Sequence, residues 1–358
     1  MKRSLAARGL LLLAFVLLGG LLQTPNAEAL SFSAHLDAVS EESPAAVAVG
    51  DLNEDGKKDV VVLGFVYHAS VFLGDGTGAF GAWTNFAVAG SPGGIALGDL
   101  NADGHQDLVT TLRYGTYVTF WEGDGGGWFE SRSDWSSNDG LSDNPSSVVI
   151  GDFDGDGKQD VVPANAGSAT ISLLARPVPG AWVRTVFAVG ATPEAVAVAD
   201  FNRDGKKDVA TANAGADTVS VLLGDGSGGL GAKADFAVGY EPCSIAVGDF
   251  RRDGKPDPVT ANHAGASISV LRNTTALKLR SLTPTRGRVG ATVTIAGWGF
   301  GPRRGTSKVF FVSRAVTRYV SWSAGKIKVK VPGVAAGAKM VRVKTAVGVG
   351  NGLAFRVL

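Results

Sequence analysis

The stretch GDFDGDGKQD, residues 151–160, is the clearest copy of a unit that occurs five times along the chain. The other copies are GDLNEDGKKD at 50–59, GDLNADGHQD at 98–107, ADFNRDGKKD at 199–208 and GDFRRDGKPD at 248–257. Their first aspartates are 48 to 53 residues apart. A period in this range is typical of propellers and solenoid arrays. The chain is therefore expected to build its fold from one repeated supersecondary unit.

Counted from its first aspartate, each copy carries oxygen-bearing side chains at alternate positions, and the third copy has Asp152, Asp154, Asp156 and Asp160 at positions 1, 3, 5 and 9. Calcium is bound by several such oxygens at roughly 2.3–2.6 Å, and alternate residues of a tight loop can all face one ion. Gly157 at position 6 permits the turn, because glycine adopts positive φ without strain. Position 7 is expected to offer its backbone carbonyl while its side chain stays in solvent. The pattern predicts a structural calcium site.

The candidate metal ligands follow from this spacing. They are Asp51, Asn53, Asp55, Lys57 and Asp59; Asp99, Asn101, Asp103, His105 and Asp107; Asp152, Asp154, Asp156, Lys158 and Asp160; Asp200, Asn202, Asp204, Lys206 and Asp208; and Asp249, Asp253, Lys255 and Asp257. The fifth copy departs from the pattern, since Arg251 occupies position 3 and a guanidinium has no lone pair to offer a metal. Four to five bound Ca²⁺ ions are therefore expected.

The loop has two other possible interpretations. An EF-hand is excluded because its loop needs a glutamate at position 12, where the five copies have Val62, Thr110, Pro163, Thr211 and Thr260. The second interpretation stays open. Each Asp-Gly pair could be only a polar turn between strands, stabilised by aspartate side chains that accept hydrogen bonds from backbone amides.

The DxNxDGxxD loops, preceded by VAVGD and followed by valine-rich strands and LGDG turns, resemble the FG-GAP/VCBS repeats of integrin-α-type β-propellers. The resemblance covers about residues 31–275. It implies that each loop joins the first and second strands of a blade and that Asp51, Asn53, Asp55 and Asp59, with their counterparts in the later copies, bind metal. Arg251 is the point at which this chain departs from the family pattern.

The repeats predict an all-β fold of four-stranded antiparallel blades. In the first repeat the strands are expected at 45–51, 59–63, 69–74 and 84–89. The fifth repeat has a third strand at 267–272 and no fourth, whereas residues 32–39 near the N-terminus resemble an isolated fourth strand. We therefore predict a five-bladed propeller whose ring is closed by the N-terminal strand, because closure removes exposed sheet edges. An open or larger ring is the alternative.

The antiparallel order assigns the loops to two ends of the ring. The metal loops and the GDG turns should share one end. The other end should carry the turns between second and third strands, including Tyr67, Tyr114 and the Asn-Ala-Gly turns that begin at 165 and 213, together with Tyr240. Aromatic and amide side chains on rigid loops suit a sugar or peptide site. The alternative is that Asn-Ala-Gly is only a turn.

The N-terminal residues 1–29 have the pattern of a secretory signal peptide. Lys2, Arg3 and Arg8 precede an apolar run at 10–22, and Ala27-Glu28-Ala29 follows as a small-residue cleavage site. About 13 apolar residues are too few to span a bilayer. We expect a mature chain without a membrane span that is secreted, periplasmic or on the cell surface. Its single cysteine, Cys243, permits no intramolecular disulfide.

Residues 276–358 form a second domain of opposite charge. They contain 16 lysines and arginines and no aspartate or glutamate, whereas residues 30–275 carry 15 basic and 32 acidic side chains. The opening SLTPTRGRVGATVTIAGWGFG and the stretch WSAGKIKVKVP resemble an IPT/TIG domain, which implies an immunoglobulin-like β-sandwich. Its charge favours contact with an anionic surface. Alternatively, the cations lie on solvated strand faces or dock against the acidic propeller.

The chain lacks GxSxG, HExxH and phosphate-loop motifs, and its four histidines lie at scattered positions. These features favour a non-catalytic, exported, calcium-stabilised module for binding or adhesion, with a glycan or protein partner. Nucleic acid is not expected as a partner, because of the export signal. Two alternatives remain. One is a calcium-dependent polysaccharide lyase or hydrolase on a propeller scaffold, and the other is a structural component of an envelope or surface assembly.

Overall fold

The structure is a computed structural model that describes residues 43–64, 68–88, 90–113, 115, 117–136, 143–178, 181–275, 277–301, 303–323, 325–345 and 348–358. These residues form strands and turns without a helix, so the all-β prediction is confirmed. None of them belongs to a helix long and apolar enough to cross a bilayer. The predicted signal peptide (1–29) and the predicted ring-closing strand (32–39) lie outside the described residues.

Five antiparallel sheets, here called blades 1 to 5, follow one another along the repeat region. Blade 1 contains β1 (Pro44–Gly50), β2 (Asp59–Gly64), β3 (His68–Phe72) and β4 (Thr84–Ala87). Blade 2 contains β5 (Pro92–Gly98), β6 (Asp107–Leu112), β7 (Tyr117–Gly123) and β8 (Phe129–Ser136). Blade 3 contains β9 (Pro145–Gly151), β10 (Asp160–Asn165), β11 (Thr170–Val178) and β12 (Ala181–Ala188).

Blade 4 contains β13 (Pro193–Ala199), β14 (Asp208–Asn213), β15 (Thr218–Leu222) and β16 (Ala234–Ala237). Blade 5 contains β17 (Pro242–Gly248), β18 (Asp257–Asn262) and β19 (Ser267–Val270). In every blade the strands pair in chain order. The described part of blade 5 thus has three strands where the other blades have four.

The blades stack through their first two strands. The second strands β6, β10 and β14 are buried at every residue, which explains their continuous runs of apolar and small residues. The first strands of successive blades contact each other from β1 through β5, β9 and β13 to β17. Small residues permit this approach: a Cβ atom on Gly94 would lie 2.8 Å from the Cα atom of Ser147 in the next blade.

The two ends of the blade array differ from its interior. The apolar residue at loop position 2 is buried in the first four blades, as Leu52, Leu100, Phe153 and Phe201, but its counterpart Phe250 in blade 5 is 57% exposed. Val47 and Val49 on β1 are exposed as well. Closure of the ring would involve residues outside those described, so the five-bladed closed ring stays a prediction.

The C-terminal domain is a two-sheet sandwich, as predicted. One sheet contains β20 (Lys278–Thr283), β22 (Thr292–Trp298), β26 (Lys326–Lys330) and β25 (Tyr319–Trp322), in that order. The other contains β21 (Arg286–Gly287), β29 (Leu353–Val357), β27 (Gly337–Thr345), β23 (Lys308–Phe311) and β24 (Arg314–Ala315), with β28 (Gly348–Val349) paired to β27.

The sandwich core explains the alternating sequence of its strands. Ile327 and Val329 of β26 are fully buried in a cluster with Phe311 and Phe355, whereas Lys326 and Lys328 between them are exposed. Successive side chains of a strand point to opposite faces. The lysines of this strand therefore lie on the outer, solvated face of the sheet.

Candidate metal centres

Each repeated loop joins the first and second strands of its blade, and in blade 3 it begins where Gly151 pairs with Asp160. The position-1 carboxylate accepts a hydrogen bond from the amide of the position-6 glycine, as between Asp152 and Gly157 at 3.2 Å. All five of these glycines have positive φ, between 74° and 96°. The predicted role of glycine at position 6 is confirmed.

Two further bonds turn the next oxygens toward the same side of the loop. In the third loop Asp154 accepts from the amide of Asp156 at 3.0 Å, and Asp156 accepts from the amide of Lys158 at 2.8 Å. The same contacts recur in the first, second and fourth loops. The loop backbone thus holds the side chains at positions 1, 3 and 5 in a fixed arrangement.

The third loop brings three carboxylates together. Oxygen atoms of Asp152, Asp154 and Asp156 all lie within 4.8 Å of one another. Negative charges this close repel each other unless a cation lies between them. In the first loop, Oδ1 of Asp51 is buried and has no hydrogen-bond partner among the described residues, which is costly for an anionic oxygen. Both features fit a calcium ion held by oxygen ligands.

The position-9 aspartates are the most buried members of the set. Asp59, Asp107, Asp160, Asp208 and Asp257 are each at most 1% exposed. In the first loop Oδ2 of Asp59 accepts from the amide of Leu52 and Oδ1 from the amide of Gly74, both at 2.8 Å. The carboxylate therefore ties its loop to the end of the third strand. Each oxygen keeps a second lone pair, so this role is compatible with metal binding.

Burial changes the proton affinity of these aspartates. It raises the pKa of Asp208 to about 7 and that of Asp160 to about 6, although backbone amides that donate to them oppose the shift. Asp257 differs: burial acts in the same direction, but hydrogen bonds from Arg251 hold its pKa below the ordinary value. A cation from the chain itself thus compensates the fifth position-9 carboxylate.

The position-7 side chains do not all stay in solvent. The ammonium group of Lys57 lies 3.0 Å from the carboxylate of Asp55, and that of Lys158 lies 3.3 Å from Asp156. His105 pairs with Glu54 of the preceding loop. The prediction of a solvated side chain is wrong for Lys255, which is only 6% exposed.

Turn residues of one blade also contact the predicted metal loop of the preceding blade. The amide of Gly127 in blade 2 donates to the carbonyl of Leu52, and that of Gly228 in blade 4 donates to the carbonyl of Phe153. The prediction that the metal loops and the GDG turns share one end of the blade array is therefore confirmed.

A cavity of about 630 Å³ lies among the first strands of the five blades. One end of it is lined by residues that follow the second strands, at the end of the array away from the aspartate loops. Arg113 of blade 2 and Glu194 of blade 4 form an ion pair there, and Glu241 lies 3.4 Å from His263 in blade 5. The cavity mouth thus combines fixed charges of both signs.

The Asn-Ala-Gly turns present their asparagines inward. Asn213 is fully buried and donates hydrogen bonds to the hydroxyl groups of Thr218 and Ser220 at 3.1 and 2.9 Å. Asn165, and Asn262 of the longer turn Asn-His-Ala-Gly at 262–265, are buried with equivalent bonds. These amides act within the turns, as the simpler interpretation held. Tyr240 is 69% exposed, whereas Tyr67 and Tyr114 lie outside the described residues.

Sequence reasoning missed the ion pair at the cavity mouth. A signal was present, because Glu194 occupies a repeat position at which the other copies have Ala45, Gly93, Ser146 and Cys243. An ionisable residue among small and neutral ones, on a strand that lines the axis, indicates a specific role. Its partner, however, lies two blades away and could not be identified from spacing.

Antiparallel sheets stacked through their inner strands around a cavity, with aspartate loops at one end, define a β-propeller type of repeat domain followed by an immunoglobulin-like sandwich. The FG-GAP-like repeat family matches residues 51–110, 99–162 and 200–260, and the IPT/TIG domain family matches residues 277–356. The chain is thus an FG-GAP-like repeat protein with a C-terminal IPT/TIG domain, as the sequence predicted.

Curated relatives match only part of this chain. A cyclomaltodextrin glucanotransferase of Paenibacillus macerans is 51% identical over 67 residues, which is 18% of this chain and 9% of that enzyme. One from Bacillus sp. (strain 1-1) is 41% identical over 73 residues, 20% of this chain and 10% of the enzyme. These matches lie in the IPT/TIG region, and the chain spans about a tenth of the enzymes' length.

The solved structures to which this chain is similar are more distant in sequence. A lectin of Agrocybe aegerita, reported to recognise non-reducing terminal N-acetylglucosamine, is 18% identical with a TM-score of 0.40, covering 64% of this chain and 66% of the lectin. A functionally unknown protein of Desulfotomaculum acetoxidans DSM 771 is 13% identical with a TM-score of 0.45, covering 90% of this chain and 92% of that protein.

Proposed function

We propose that the mature chain is an exported, calcium-stabilised binding or adhesion module that recognises a glycan or protein partner without catalysis. The observation that carries this proposal is the separation of roles between the two ends of the propeller. The aspartates converge in loops at one end, where the backbone holds them in place. The cavity mouth, where Arg113 pairs with Glu194, lies at the other end.

The cavity has the size and chemistry of a recognition site. Ligand pockets have volumes of roughly 300–1,000 Å³ and a few well-placed polar groups, and the cavity of about 630 Å³ is within this range. Arg113 and Glu194 constrain each other, because they pair across the mouth. Side chains that are already held in place lose little conformational entropy when a ligand binds. A neutral polar ligand such as a sugar, or a peptide, is the class that suits mixed charges.

Structural roles account for the acidic side chains that an enzyme would need. The loop carboxylates bond to backbone amides, and His105 and His263 each pair with a glutamate of a neighbouring loop. A lyase or hydrolase would instead require a carboxylate or histidine directed at a bound substrate. The family evidence supports the binding role, since such repeats and IPT/TIG domains are typically non-catalytic.

The experiment uses the mature chain, residues 30–358, on a glycan array and in pull-downs from cell-surface extracts, with calcium and with chelator. The double variant Arg113→Met, Glu194→Gln removes the Arg113–Glu194 ion pair at the mouth, and Ser227→Ala at the opposite end is the control. Loss of a captured ligand in the first variant alone supports the proposal. Unchanged capture in both variants contradicts the cavity as the site, and release of products from a polysaccharide favours the enzyme alternative.

A second contact is proposed for the basic IPT/TIG domain. Its exposed lysines, including Lys326 and Lys328, form part of a domain of 16 positive and no acidic side chains. Such a surface attracts polyanions in a salt-dependent way. Retention on a heparin column should fall in Lys326→Gln, Lys328→Gln. Unchanged retention would indicate that these lysines only keep the strand face solvated and do not bind the polyanion.

A further inference from the structure

The fifth loop differs from the other four at the position where it should provide its second metal ligand. Positions 1, 5, 7 and 9 are kept as Asp249, Asp253, Lys255 and Asp257, but position 3 is Arg251. The other loops have Asn or Asp at this position. A positive side chain directed into a calcium site would repel the ion. The residues present therefore do not fit calcium.

The guanidinium of Arg251 lies among the oxygens that a metal would bind. Nη2 donates to Oδ1 of Asp257 at 2.9 Å, and Nε lies 3.3 Å from Oδ2 of the same carboxylate. Nη1 lies 3.3 Å from Oδ2 of Asp253. One cation of the chain thus bridges the carboxylates at positions 5 and 9, and Asp257 is fully buried beneath it.

Arg251 also holds residues 273–275, here called the linker, which lead out of the propeller. Its Nη2 donates to the carbonyl of Asn273 at 2.6 Å, while the amide of Asn273 donates to Oδ1 of Asp257 at the same distance. The side chain of Asn273 donates in turn to the carbonyls of Phe201 and Pro256 at 2.7 and 3.1 Å. Asn273 therefore connects loops four and five just before the IPT/TIG domain begins.

We propose that Arg251 is a built-in cation that takes the place of calcium in the fifth loop and anchors the start of the linker at Asn273. A guanidinium stays charged at all physiological pH values and donates several hydrogen bonds in a fixed plane. Because it is covalently attached, it does not dissociate when calcium is diluted. The fifth loop and the linker therefore keep their structure without calcium. This inference rests on the proposed function only in assigning calcium to the other four loops.

The test is hydrogen exchange of the full mature chain, read from peptides that cover each loop, in calcium and in chelator. In the wild type, exchange of residues 152–160 should accelerate in chelator, whereas exchange of residues 249–257 should not change. Equal acceleration of both peptides would overturn the proposal, because it would show that the fifth loop depends on calcium as well.

Two methionine variants isolate the cation itself. Arg251→Met should accelerate exchange of residues 249–257 and of the linker peptide by about tenfold or more in chelator, because charged hydrogen bonds of this kind contribute about 1.5–3 kcal/mol. Arg252→Met is the matched control, because it removes the adjacent exposed arginine and leaves the bonds of Arg251 to Asp257 and Asn273 in place. Equal exchange in both variants would refute the role of Arg251. This comparison holds whether or not any loop binds calcium.

A third variant exchanges the built-in cation for a metal ligand. Arg251→Asp restores an oxygen at position 3, so it should bind one more calcium ion than the wild type by elemental analysis and should recover slow exchange only in calcium. Arg251→Met should not recover. If Arg251→Asp binds no additional ion while the other loops bind theirs, the fifth loop lacks the geometry of a metal site. Arg251 then does not take the place of a calcium ion, and the proposal is wrong. If no loop binds calcium, the proposed function fails, and the methionine pair alone decides the inference.

Discussion

The amide nitrogen of Gly224 lies 2.8 Å from Oδ1 of Asp208. Oδ2 of the same carboxylate accepts from the amide of Phe201, also at 2.8 Å. One buried side chain thus fastens the aspartate loop of blade 4 to the C-terminal end of its third strand. The position-9 aspartate holds the loop in place within the blade, independently of any ligand.

Asp208→Ala is therefore expected to destabilise the protein by about 2–4 kcal/mol in chelator as well as in calcium, because it leaves two buried amides without acceptors. Asp204→Asn, at position 5 of the same loop, should matter mainly in calcium. Denaturant unfolding of both variants under both conditions measures the difference. A chelator-insensitive penalty for Asp204→Asn, or none for Asp208→Ala, would contradict the assignment.

Calcium removal should destabilise the propeller and leave the sandwich unchanged. At free calcium about tenfold above the dissociation constant, each site contributes roughly 1.4 kcal/mol, so four sites contribute about 6 kcal/mol. This is comparable to the stability of a typical domain, about 5–15 kcal/mol. Calorimetry of the full chain should show a propeller transition that shifts down by many degrees in chelator. An identical trace with and without calcium would exclude structural calcium.

The stabilisation by calcium should shrink on acidification. The pKa of Asp208 is about 7 and that of Asp160 about 6 in the metal-free fold, against about 3.9 when unfolded. Protonation of these two groups therefore stabilises the metal-free fold fully below about pH 4, and this stabilisation is lost as the pH rises through 6 to 7. A calcium ion bound to these carboxylates would compete with these protons. The Tm difference between calcium-loaded and metal-free protein should be larger at pH 8 than at pH 5.5.

The sandwich supplies an internal control for the pH experiment. Residues 276–358 contain no aspartate, glutamate or histidine, so their unfolding transition should not move between pH 5.5 and pH 8. A calcium effect on the propeller that is constant across this range would show that protons and calcium do not compete at these loops.

Asn213→Ala should cost about 2 kcal/mol of stability, because the buried hydroxyl group of Ser220 and the half-buried hydroxyl group of Thr218 lose their shared donor. Asn101→Ala, in an exposed loop, is the control when measured in chelator. Asn213→Ala should leave ligand capture intact when the folded protein is assayed. A stable Asn213→Ala variant that fails to capture ligand would instead place this amide in a binding site.

Much of this protein could be read from local pattern. The period of the aspartate loops, the strand on either side of each loop, the glycine at position 6 and the boundary near residue 276 all follow from interactions within about ten residues. Such interactions are nearly independent of how the blades stack. For this reason the strands, the antiparallel order and the two domain types agree with the sequence-based expectations.

Only the tertiary structure decided which distant groups meet. The pairing of Arg113 with Glu194, the bonds from Asp208 to Gly224 and the contact of Arg251 with Asn273 join residues 16 to 81 positions apart. The first contact depends on the rotation between blades, and the other two depend on how each blade folds back on its own loop and on how deeply each side chain is buried. Spacing in the sequence does not show these three-dimensional relations. The same loop motif contains Asp208, which is held by backbone amides, and Asp257, which is neutralised by Arg251.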